Sequence, residues 1–199
     1  MSDPADDEVH QIVQRVLKRY AGLSNQSPAA SAGASTPVTL PQTDPNPTLR
    51  KVIAIGADHG GFELKEILKP ELTALGYDYI DVGTNTKDAV DYPDFAHEVA
   101  KLVSSGKAWR GVMIDGAGIG SCIVANKVPG VRAGMAYDYS SALNSREHND
   151  TNLLTLGAGL IGVALAKQIL KVWLSTPFGG ERHQRRVNKI TAVEKLYTK

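Results

Sequence analysis

From residue 51 onward the chain alternates between two hydrophobic rhythms. Short apolar runs at 51–55, 79–82, 111–114, 131–136 and 153–156 read as strands. Between the first two, Phe62, Leu64, Ile67, Leu68 and Leu72 recur at helical spacing and stop at Gly76. The same logic predicts helices over 95–103, 140–146, 161–173 and 181–197, with a further one starting after the glycines at 116–120. Strands that alternate with helices imply a parallel sheet covered on both faces. The expected fold is a three-layer α/β/α Rossmann-like sandwich of about five strands, occupying residues 49–199.

The first 48 residues follow a different pattern. Over 6–20, Val9, Ile12, Val13, Val16, Leu17 and Tyr20 line one helical face. Asp6, Asp7 and Glu8 stand at its start and Arg15, Lys18 and Arg19 at its end, as the helix dipole prefers. A lone helix of this length is marginal in water, so the stripe needs a partner. Residues 23–48 carry five prolines, at 28, 37, 41, 45 and 47, among Ser, Ala, Thr and Asn, which reads as a linker. The expected division is therefore a helix within 1–22, a linker over 23–48 and the main domain from 49. A short amphipathic helix on a tether resembles the encapsulation peptides that load cargo into bacterial microcompartments. That resemblance implies a shell-protein partner for residues 6–20.

Composition narrows the function classes. A net charge of +1 gives no reason to expect nucleic acid or a membrane surface. No run approaches ~18 consecutive apolar residues, and the N-terminus opens with acids, so neither a membrane span nor a secretory leader is expected. The single cysteine, Cys122, excludes an intrachain disulfide and suits a reducing, cytoplasmic setting. It is expected to be a packed thiol at the start of a helix.

The chemistry concentrates at 112–125, V-M-I-D-G-A-G-I-G-S-C-I-V-A. A strand ends in Asp115, and Gly116, Gly118 and Gly120 lead to Ser121 and a helix. Glycine at alternate positions lets a ligand approach the backbone, and the following amides suit an anion or a developing oxyanion. A second glycine turn, 56–61, brings Asp58 and His59 to the end of the first strand. Neither turn reads G-x-G-x-x-G, so a dinucleotide site is disfavoured. His148 and Asn149 lie in a polar stretch before the last strand. Arg182 and Arg186 are i, i+4 neighbours at the start of a helix, where cations are disfavoured unless they have a task such as clamping phosphate.

These segments carry a family resemblance. G-A-D-H-G-G at 56–61, D-Y-P-D at 91–94, G-A-G-I-G at 116–120, A-N-K at 125–127, R-E-H-N at 146–149 and R-H-Q-R-R at 182–186 occur in the order and spacing of the type B ribose-5-phosphate isomerases, a family that includes the galactose-6-phosphate isomerase subunits. The resemblance implies an aldose–ketose isomerase working through a cis-enediolate. It also implies a homodimer or tetramer with sites built from both subunits, and no metal or organic cofactor. By resemblance, His148 opens the furanose with Asn149 beside it. The amides of Gly116, Gly118, Ile119, Gly120 and Ser121 hold the enediolate, Asp58, His59 and Tyr92 hold sugar hydroxyls, and Arg182 and Arg186, with His183 nearby, hold the phosphate.

Four positions depart from the family pattern. Asp115 replaces the usual cysteine base, Ser121 stands where a second group has a glutamate base, Ala117 replaces a hydroxyl residue and Gly159 replaces a phosphate-binding arginine. Asp115 is therefore expected to be the base. The alternatives are a non-catalytic sugar-phosphate-binding subunit, or an isomerase of a six-carbon or deoxy sugar phosphate.

Overall fold

The computed structural model describes residues 51–198. The chain divides into two units, 1–44 and 45–199, and all described residues belong to the second. The expected targeting helix at 6–20 and linker at 23–48 lie outside the described residues.

Five strands form one parallel sheet: β1 (Val52–Ala57), β2 (Asp78–Asp81), β3 (Arg110–Asp115), β4 (Ala133–Met135) and β5 (Leu153–Gly157). Their spatial order is β2-β1-β3-β5-β4. Six helices connect or follow them: α1 (Phe62–Ala74), α2 (Tyr92–Ser104), α3 (Ile119–Ala125), α4 (Tyr139–Glu147), α5 (Val163–Ser175) and α6 (Glu181–Tyr197). On one face, Leu64, Leu68 and Leu72 of α1 and Ile169, Leu170 and Trp173 of α5 cluster with Ile53, Ile55, Val112 and Ile114. On the other, Ala96, Val99, Ala100 and Val103 of α2 cluster with Ala54, Met113 and Leu153. β3 and β5 are buried throughout, as central strands between two helical layers must be.

The topology decides where a ligand can sit. The chain leaves β1 through α1 toward β2, then crosses back through α2 to β3 on β1's other side. The connections diverge between β1 and β3 and leave a crevice beyond their carboxyl ends. Those ends carry Asp58 and Asp115.

Several boundaries differ from expectation by one to three residues, and two have a local explanation or consequence. α2 begins at Tyr92, three residues before the predicted start, because Pro93 in the first turn has a helix-compatible φ and Asp91 stands in extended conformation as its N-cap. β4 is three residues long, narrower than the 131–136 run. The side chain of Asn126 brackets Ala133 on this outer strand, accepting from its amide at 2.9 Å and donating to its carbonyl at 3.0 Å.

Candidate active site

The loop after β3 is held by its own aspartate. Asp115 is 4% exposed, and its Oδ1 accepts from the amides of Ala117 (2.8 Å) and Gly118. Its Oδ2 accepts from the amide of Ser121 (3.2 Å) and from the Ser121 hydroxyl. Gly118 turns the chain at φ 78°, a conformation glycine adopts without strain. The carboxylate therefore caps the first turn of α3 and closes the loop around itself. A carboxylate has about four lone-pair sites, and four donors fill them. Asp115 also takes two of the amides, Gly118 and Ser121, that were expected to hold an oxyanion. Gly116, Ile119 and Gly120 keep amides that Asp115 does not engage.

Three expected residues surround this loop. Asp58 is 7% exposed, and its Oδ1 accepts from the Gly61 amide at 3.0 Å. Asp58 Oδ1 and the Gly116 amide nitrogen each lie 3.4 Å from the point a Cβ on Gly60 would occupy. The two groups therefore flank Gly60 on one side. Tyr92, in the first turn of α2, lays its ring across Gly120, where a Cβ would come within 2.7 Å of the hydroxyl. Gly120 is therefore the residue that admits Tyr92 to the loop. His59 is exposed, and its Nδ1 lies 3.1 Å from the Val90 carbonyl and 3.3 Å from the Val90 amide. Val90 was not singled out from the sequence, since an apolar residue acting through its backbone leaves no trace in side-chain chemistry.

The remaining candidates lie at the other edge of the sheet. His148 caps the C-terminus of α4, five residues before β5 begins, whereas Asp115 pairs with Gly157 where β5 ends. Four steps of strand at roughly 3.3 Å each put about 13 Å between the two edges. At this N-terminal edge, the Gly179 amide donates to the Glu147 carbonyl at 2.9 Å and brings α6 against the end of α4. His148 and His183 stack with ring centroids 4.2 Å apart and planes 5° from parallel. Arg182 Nε donates to His183 Nε2 at 3.2 Å. A neutral His183 then carries its proton on Nδ1, which is buried and has no partner among the described residues. Burial, and then the nearby His148, Arg182 and Arg186, push the His183 imidazole below its ordinary value and favour that neutral form. Arg182 and Arg186 are exposed in the first turns of α6, and Asn149 Nδ2 donates to the Asn144 carbonyl at 3.5 Å.

Thus one chain brings Asp58, His59, Tyr92, Asp115 and the 116–121 loop together at one edge. It collects His148, Asn149, Arg182, His183 and Arg186 at the other. Gly159 belongs to the first group: its amide donates to the Gly116 carbonyl at 2.9 Å, so a side chain at 159 would start beside the loop. Cys122 donates toward the Ala133 carbonyl at 3.6 Å, and burial foremost pushes its thiol up, away from thiolate chemistry. Among the described residues no group of three or more His, Cys, Asp or Glu is placed to hold a metal ion.

Comparison with known proteins places this arrangement. The family described as Ribose/Galactose Isomerase matches residues 53–190. The chain belongs to that family. Ribose-5-phosphate isomerase B of Escherichia coli is 44% identical over 144 residues, covering 72% of this chain and 97% of the relative. D-erythrulose-4-phosphate isomerase of Pectobacterium atrosepticum is 41% identical over 147 residues, 71% of this chain and 94% of the relative. The solved structure of Clostridium thermocellum ribose-5-phosphate isomerase B superposes with a TM-score of 0.73 at 48% identity, covering 74% of this chain and 99% of that one. The α/β/α sandwich is therefore the fold of the family, and the shared region begins where β1 begins.

Proposed function

We propose that the domain is an aldose–ketose isomerase that interconverts ribose 5-phosphate and ribulose 5-phosphate through a cis-enediolate. The observation that carries the reading is the β1/β3 crevice, where a buried carboxylate, Asp58, and the Gly116 amide flank Gly60 on one side in a chain of this family. The reaction moves a proton between C1 and C2. It needs a base, a donor for the developing oxyanion, a group that opens the ring and a phosphate anchor. The base and the oxyanion donor lie at the C-terminal edge of the sheet. His148 is the ring-opening group, and Arg182 and Arg186 are the anchor, both at the N-terminal edge.

Two edges about 13 Å apart within one chain do not form one pocket for a five-carbon sugar. A second copy related by a two-fold axis would bring the His148 edge of one chain to the Asp58 edge of the other, giving two equal sites per pair. What supports this arrangement is the separation of the two groups of candidate residues within one chain. For the segment at 6–20, the proposed role is docking to a microcompartment shell. Removal of residues 1–48 should then abolish encapsulation and spare isomerase activity.

The deciding experiment is turnover of ribose 5-phosphate by the purified protein, followed as ketose formation. Tight binding without turnover would favour the sugar-phosphate-binding subunit. One relative is named for a four-carbon ketose phosphate, and Gly159 puts no side chain beside the loop. A second reading is therefore an isomerase of another sugar phosphate. The comparison of kcat/KM across four-, five- and six-carbon aldose phosphates separates the two.

A further inference from the structure

We propose that Asp58 is the base that moves the proton between C1 and C2, and that Asp115 anchors the loop holding the oxyanion. This assignment rests on the isomerase reading above. The two carboxylates stand at the ends of neighbouring strands, with Ala57 paired to Ile114, and both are nearly buried. They differ in how their lone pairs are used. Asp115 accepts from Ala117, Gly118 and twice from Ser121, so both oxygens are committed to residues of its own loop. Among the described residues Asp58 accepts one bond, from Gly61 to Oδ1, and Oδ2 has no partner. A proton abstracted from carbon needs an oxygen that can turn a free lone pair toward the substrate, and Asp58 has one.

The surroundings complete the task. Asp58 and the Gly116 amide, one of the loop amides that Asp115 leaves free, flank Gly60 on one side. A C1–C2 unit bound between these two groups would expose its C2 hydrogen to the carboxylate and its C1 oxygen to the amide. The C2 proton passes to Asp58, the C2–H electron pair becomes the C1–C2 double bond, and the carbonyl pair moves onto O1. O1 then takes the proton that leaves the O2 hydroxyl, and C2=O forms. Asp58 returns its proton to C1, and the carboxylate is restored. No other reactant is consumed. Asp115 acts at one remove, because its four bonds fix the loop from which the Gly116 amide projects.

Chemical rescue in the full-length protein distinguishes the two roles. Asp58→Ala should lower kcat on ribose 5-phosphate by about 1000-fold, and added formate should restore at least tenfold of that. In D2O the rescued reaction should place deuterium at C1 of the ketose. Asp115→Ala should lose activity together with thermal stability, and formate should restore neither. Rescue of Asp115→Ala but not of Asp58→Ala would overturn the assignment. So would an Asp58→Ala enzyme within tenfold of wild type, or one that formate leaves inactive although it still binds ribose 5-phosphate. Wild-type protein that does not turn over ribose 5-phosphate would retire the ribose 5-phosphate reading on which the assignment rests.

Discussion

The two edges of the sheet solve different problems with different materials. At the C-terminal edge the candidate groups are the Asp58 carboxylate and backbone amides, the latter fixed by an aspartate from within the same loop. At the N-terminal edge they are side chains on helices. There the order comes from an imidazole stack and one bond between Arg182 and His183. The first arrangement is rigid because each lone pair of Asp115 is used. The second retains exposed guanidinium groups and a half-buried His148, free to meet a ligand from outside. A cradle for a short-lived oxyanion benefits from donors that do not rearrange. A phosphate clamp must open and close, and long side chains at a helix start can do so. The two edges also share the protein's largest constraint, that neither reaches the other within one chain.

That constraint gives the largest predicted effect. Asp58→Asn and His148→Ala homo-oligomers should each be nearly inactive, and mixing them with subunit exchange should restore about a quarter of wild-type activity. Half of the pairs are then mixed, and one of their two sites carries no substitution. No recovery on mixing would mean that each chain builds its own site.

The next effect tests the support beneath the C-terminal edge. Lys65 is fully buried, and its Nζ lies 2.7 Å from both oxygens of Asp81, whose Oδ1 also accepts from the Gly83 amide at 2.9 Å. The Ala57 amide, just before Asp58, donates in turn to the Gly83 carbonyl. Burial alone would raise the Asp81 carboxyl, but bonds from Lys65, Gly83 and Lys69 outweigh it and hold it below the ordinary aspartate value. Its stabilising contribution is therefore complete above that ordinary value and is lost as pH falls through the folded one. Asp81→Asn should cost about 3 kcal/mol in urea unfolding at neutral pH. This is the low end for a broken buried pair, because Glu66 remains 3.2 Å from Lys65. The variant should also lose part of the wild type's acid sensitivity; an unchanged acid limb would show that Asp81 does not titrate against Lys65.

The smallest effect concerns the other edge. His183→Phe keeps a flat ring against His148 but removes the acceptor for Arg182 Nε. KM for ribose 5-phosphate should rise about fivefold, the worth of roughly one hydrogen bond, with kcat within about twofold. A kcat loss with KM unchanged would mean that the imidazole nitrogen of His183 serves the chemistry.

How much of this was legible depends on the range of the interaction involved. The alternation of apolar runs and helical stripes specified five strands and a covered parallel sheet, because side-chain periodicity records which faces are buried. Pro93 showed where α2 could start, although the expected start at 95 overlooked it. Lys65 was legible in principle, since it lies on α1 beside Leu64 and Leu68, where an ammonium group must find an acid. Which acid it found, Asp81, depended on β2 packing beside β1.

The candidate residues at both edges could likewise be named from the chain: the glycines of the loop, Asp58, His148 and the paired arginines. Their separation into two edges could not, because it follows from strand order and from the direction in which each helix returns. The role of Asp115 was hidden for the same kind of reason. The sequence places a carboxylate before a glycine loop, and an aspartate there can face a substrate or turn back onto amides two, three and six residues ahead. The fold of the loop decided between them, since φ 78° at Gly118 brings those amides within reach of the carboxylate. Periodicity and motif spacing are properties of neighbours in sequence, and the chain alone determined what depends on them. Lone pairs are filled by neighbours in space, so only the tertiary structure determined which carboxylate was left free.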